Sequence, residues 1–112
     1  MMDTPIILKT YELYKTFYGY LELFPKKDKY ALGGKCEEYI LAIMELLIAA
    51  SIGVRTDKAR FIQQASLKLD ILKVFIRLVK DLNLLEDKKY IILQQQIQEI
   101  GRMIGGWQKS VQ

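Results

Sequence analysis

Ile62-Gln63-Gln64-Ala65-Ser66-Leu67-Lys68-Leu69-Asp70-Ile71-Leu72-Lys73-Val74-Phe75-Ile76-Arg77-Leu78-Val79 decides the fold. Within it Ile62, Ala65, Leu69, Leu72, Ile76 and Val79 recur at alternating steps of three and four, which places them on one face of an α-helix. A half-buried strand would alternate at every second residue, and no such run of useful length occurs in the chain. Working outward, the same rhythm returns in Leu32, Cys36, Ile40, Ile43, Leu47 and Ala50 before this block, and in Tyr90, Leu93, Ile97, Ile100, Ile104 and Trp107 after it. The first block carries two neighbouring stripes. One is Ile7, Tyr11, Tyr14, Tyr18 and Leu21; the other is Thr10, Leu13, Phe17, Tyr20 and Phe24. Two stripes make a wider apolar face than one neighbour can cover.

Punctuation sets the boundaries. Pro25 ends the first helix, which starts at about Pro5 and runs to about Leu23, because proline lacks a backbone donor and disfavours helical geometry in the residue before it. The second helix is expected from about Lys27 to Ile52, with Asp28 in its first turn, where the helix dipole favours an anion. Gly53 reads as a stop and Thr56 as the next N-cap, followed by a third helix to about Leu82 and a fourth from about Glu86. Trp107, in phase with the core, carries the last helix past Gly105 and Gly106. Short connections between long helices imply antiparallel neighbours. The expected fold is therefore all-α, an up-down-up-down antiparallel four-helix bundle forming a single domain over residues 1–112.

Composition excludes more than it selects. With 51% hydrophobic and 27% charged residues the chain is made to fold, and at 112 residues it supports one core. Histidine is absent, which removes Ser-His-Asp and Cys-His nucleophiles, most zinc sites and the Glu-x-x-His pairs of di-iron bundles. A carboxylate site through Glu37, Glu38, Glu45 and Asp70 can be drawn, but these residue types normally sit on solvated helix exteriors. The lone Cys36 cannot form an internal disulfide, and its place on a buried stripe suits a small core filler better than a reactive thiol. No secretory leader is apparent in residues 1–8. The greasiest stretch, residues 39–54, is interrupted by Glu45 and too short to span a bilayer. The expectation is a cytoplasmic protein that is not an enzyme, without membrane segment, cofactor or metal.

Binding features remain. The formal charge of +4 favours anionic partners. Lys73, Arg77 and Lys80 follow one another at helical spacing beside the buried stripe of the third helix, and Arg102 adds a cation near the end of the fourth. Such a ridge suits either solvated charges whose stems cover apolar surface or contacts to phosphates. Gly101 and Gly105 share one helical face, at about 1 kcal/mol each relative to alanine, which points to close packing within or between subunits. The tyrosines of the first helix suit core packing or an intersubunit surface. Tyr14, Phe17, Gly101 and Gly105 are the expected oligomer contacts.

Three segments carry a resemblance: Phe24-Pro25-Lys26 followed by Tyr30-Ala31-Leu32-Gly33, then Leu69-Asp70-Ile71-Leu72-Lys73 continuing to Ile76-Arg77-Leu78, and Ile100-Gly101-Arg102-Met103-Ile104-Gly105-Gly106-Trp107. In these the chain, from about Tyr11 to Lys109, resembles the accessory variability determinant (Avd) proteins of diversity-generating retroelements. These are four-helix bundles related to ribosomal RNA intervening-sequence proteins. The latter typically carry a Pro-Ala-Asn element in the second helix, where this chain has Ile43-Met44-Glu45-Leu46-Leu47. The resemblance implies a non-enzymatic homopentamer that binds a reverse transcriptase, and RNA or DNA through phosphate contacts, in support of mutagenic complementary DNA synthesis. Family basic positions match Lys73, Arg77 and Arg102, with lysine where arginine is common at the first. The charge of +4 is lower than in strongly basic members. The rival reading is a structural interaction module whose charges serve only solubility.

Overall fold

The computed structural model describes residues 4–111, in which four long helices pack on one another and no strand occurs. They are α1 (Pro5–Leu21), α3 (Leu32–Ile52), α4 (Arg55–Asp81) and α5 (Asp87–Ser110), with a single-turn helix α2 (Lys26–Lys29) between the first two. Each long helix touches its neighbours in the order α1, α3, α4, α5 and back to α1. The cross-section of 23 × 22 Å is two helix diameters each way, and the 43 Å length matches the roughly 40 Å expected of α4. Both dimensions describe an all-α, antiparallel four-helix bundle.

The stripes of α3, α4 and α5 face inward as their spacing requires. Cys36, Ile40, Ile43, Leu47, Ala50, Ile62, Ala65, Leu69, Leu72, Ile76, Val79, Leu93, Ile97, Ile100 and Ile104 form one buried core. Of the two stripes on α1, the one running through Thr10, Leu13, Phe17 and Phe24 enters that core, and the Thr10 hydroxyl is satisfied by donating to the Ile7 carbonyl at 2.8 Å. The other stripe enters the core only at its ends, Ile7 and Leu21; its tyrosines stay out. Tyr11 and Tyr18 are exposed and Tyr14 is half-buried, since a phenol hydroxyl needs water or a partner and an aliphatic or phenyl side chain does not. Phe17 is therefore corrected from a surface contact to a core residue, its ring edge-on to Phe24 at 6.0 Å between centroids.

The boundaries differ in places. The second helix is broken after Lys29, where the Pro25 carbonyl takes the Asp28 and Lys29 amides and the Asp28 carbonyl takes Ala31, before α3 restarts at Leu32. At that restart Gly33 is required: a Cβ there would sit 2.5 Å from Leu21 Cδ1 and 3.0 Å from the Asp28 carbonyl oxygen. α4 begins at Arg55 with Val54 as its N-cap, two residues closer to Gly53 than a Thr56 cap allows. It ends in a Schellman turn, with Leu84 N–H on the Val79 carbonyl, Asn83 N–H on Lys80, and Asn83 in the left-handed region at φ 58°. Across the bundle, Gln96 is half-buried, and its amide donates to Thr16 Oγ1 on α1 at 3.0 Å.

Candidate nucleic-acid interface

The groove between α4 and α5 gathers the basic residues. Tyr90, Gln94, Gln98 and Arg102 follow at four-residue steps along one edge of α5, so they stack as a single row facing α4. Opposite them stand Lys73, Arg77 and Lys80. Lys73, Asp70, Gln98, Gly101 and Arg102 line one open cleft, which brings Lys73 and Arg102 together across the groove. Lys73, Ile76, Tyr90, Gln94, Ile97 and Gln98 line a second, tighter cleft beside it, of about 180 Å³. Lys80 lies farther along, its ammonium 5.4 Å from the centre of the Tyr90 ring.

The charges are not all free. Lys73 pairs with Asp70 at 3.5 Å and Arg77 with Asp81 at 3.1 Å, each one helical turn away and well exposed. The hydrogen bond from Arg77 to Asp81, and then the aspartate's charge, raise the guanidinium's pKa above its ordinary value. Exposed pairs of this kind are screened by water and contribute little, so an incoming phosphate can displace either carboxylate at little cost. Arg102 is exposed and joins no ion pair among the described residues. Chemically, the groove offers one unpaired guanidinium, three further cations and a row of amide groups to an extended anion.

Gly101 belongs to this groove. A Cβ there would meet Leu69 Cδ2 at 3.5 Å and Lys73 Nζ at 3.8 Å, ordinary contacts, so the missing side chain leaves space for the lysine head rather than for a backbone. Gly105 has nothing within 4 Å of such a Cβ, so no close approach at that position exists inside one chain. Tyr14 reaches α3 instead of solvent alone, its hydroxyl donating to Glu37 Oε2 at 3.0 Å. Burial, that hydrogen bond and the carboxylate's charge all raise its pKa.

Sequence reading missed two things. Tyr90 is half-buried and forms one wall of the tighter cleft rather than a core position, and Gln94 and Gln98 line that cleft as well; their four-residue steps from Tyr90 were the available signal. α4 also carries a second stripe on the side away from the core, Leu67, Ile71, Val74, Leu78 and Leu82, again at steps of three and four. Leu67 is 61% exposed and Val74 66%. No helix is long and apolar enough to cross a membrane, and no three metal-ligating side chains gather, among the described residues.

A family model described as bAvd-like matches residues 6–111 of the chain. No curated protein matches it.

Proposed function

This chain belongs to the bAvd-like family, and from that premise we propose that it binds the reverse transcriptase of a diversity-generating retroelement, together with nucleic acid, to support mutagenic complementary DNA synthesis. Membership implies an accessory variability determinant, in a family of generally non-catalytic accessory proteins. The observation that carries the nucleic-acid half of the reading is the α4–α5 groove. Lys73, Arg77, Lys80 and Arg102 border it, and Lys73 and Arg102 line one cleft. Phosphate contacts need clustered cations and no base-specific geometry.

Assembly into a cytoplasmic homopentamer, each subunit a single bundle domain, is part of the same proposal. Support comes from apolar surface that one chain leaves uncovered: the outward stripe of α4 and the tyrosine face of α1, with Tyr18 at 59% exposure. These two patches differ in composition and lie on different helices. Their contact would be head-to-tail, the kind that closes rings. Tyr14 and Gly105 remain proposed contacts, the vacant space at Gly105 suiting a neighbouring subunit, whereas Gly101 lines the α4–α5 groove of its own chain.

The test is reconstitution. A reverse transcriptase of a diversity-generating retroelement, its template RNA and nucleotides are combined with and without the protein. The proposal expects copurification of the two proteins and complementary DNA only when both are present. Equal synthesis by the polymerase alone would overturn it. The pairing of Lys73 with Asp70 and Arg77 with Asp81 favours the rival, a structural module two of whose groove cations are already paired, and that rival expects copurification without RNA binding.

A further inference from the structure

We propose that the tighter cleft between α4 and α5 is a pocket for one nucleobase of a single-stranded RNA, an inference that rests on the nucleic-acid reading above and adds base contact to it. The floor is apolar, made by Ile76 and Ile97, each 2% exposed. One wall is the Tyr90 ring, and the rim carries the Gln94 and Gln98 amides and the Lys73 ammonium. A flat, apolar slot with a ring beside it fits the π-face of a base, whereas primary amides, each donor and acceptor at once, match the mixed hydrogen-bonding edge of a base.

Size and charge narrow the ligand further. At about 180 Å³ the cleft is below the roughly 300–1,000 Å³ of drug-sized sites, so it accepts a ring system while sugar and phosphate stay at the rim. No carboxylate lines it, so nothing in the pocket repels a phosphate that follows the base in. The cations outside then track the backbone. Lys80 lies over Tyr90 at one end, Lys73 at the middle, and Arg102 about 18 Å along α5 from Tyr90, a span of several nucleotides. An RNA duplex cannot deliver a base to this slot, because its bases stay stacked and paired with their faces covered. The groove therefore favours unpaired RNA.

Fluorescence anisotropy with a short unstructured single-stranded RNA, and with the same strand annealed to its complement, tests this. The parent binds the single strand more tightly than the duplex. Tyr90→Leu lowers single-strand affinity about 5- to 150-fold while duplex affinity stays near the parent's, and Tyr90→Phe, which keeps the ring, restores it. As a check independent of the core, the exposed pair Gln94→Ala with Gln98→Ala flattens the preference among homopolymer RNAs while leaving thermal melting unchanged. If Tyr90→Leu and the glutamine pair both bind single strand like the parent while Arg102→Glu weakens it, the pocket is wrong and the phosphate reading stands. If the parent binds neither RNA at low salt, both fall.

Discussion

Gly33 and Gly105 both sit inside helices, yet only one of them touches anything. At Gly33 a methyl group would collide with Leu21 and the Asp28 carbonyl, so Gly33→Ala should cost about 1–3 kcal/mol in chemical denaturation. Gly105→Ala, which meets only open space, should instead stabilise an isolated subunit by about 1 kcal/mol through helix propensity. A loss of oligomer in that variant, with the helix intact, would place Gly105 at a subunit contact. Cys36 makes a third residue-scale prediction. Burial pushes its thiol up to about 12, whereas an unfolded cysteine titrates near about 8.5. Between those values the unfolded chain binds fewer protons than the folded one, so this contribution to stability is complete below about pH 8 and is lost as pH rises toward 12. Unfolding measured from about pH 8 to 10 should therefore decline more steeply for the parent than for Cys36→Ala, and native Cys36 should resist alkylation at about pH 8.

At the scale of the element, three of four long helices were legible because each has one dominant apolar stripe. α1 was ambiguous for a physical reason: tyrosine and phenylalanine look alike to a periodicity count, and only the cost of burying a hydroxyl separates the stripe that enters the core from the one that does not. Likewise Pro25 announced a break, but not that the chain would make one turn at Lys26–Lys29 and restart, because that restart depends on Gly33 fitting under Leu21. The Asn83 turn was illegible for the opposite reason, since a left-handed asparagine leaves no periodic trace. The outward stripe of α4 was overlooked once a stronger stripe had been assigned to the same helix. It yields a prediction of its own. Val74→Glu and Leu78→Glu change solvent-exposed positions and should alter the stability of one subunit by no more than about 0.5 kcal/mol, yet light scattering should show the assembly reduced in mass. Unchanged mass would remove α4 from the proposed subunit contact.

At the scale of the whole molecule, the ridge read from α4 gained its meaning from α5. Spacing alone placed Lys73, Arg77 and Lys80 in line, but only the packing of the two helices sets Lys73 beside Arg102 and brings Tyr90, Gln94 and Gln98 into the adjoining cleft. The carboxylates Asp70 and Asp81, which temper the ridge, belong to the same register and were as readable as the cations. The α4–α5 groove is proposed to hold phosphates, and the whole nucleic-acid reading rests on that. This central proposal is tested most directly by RNA affinity measured across a salt titration for the parent and for Arg102→Glu, a substitution at an exposed position that should leave helicity and assembly mass unchanged. In the parent, log affinity should fall linearly with log salt. In the variant, binding should be weaker on every RNA sequence, with a slope flatter by at least about 0.7 to 0.9, the share of one phosphate contact. Identical slopes and affinities for the two proteins would contradict it and return the groove to the role of a solvated face.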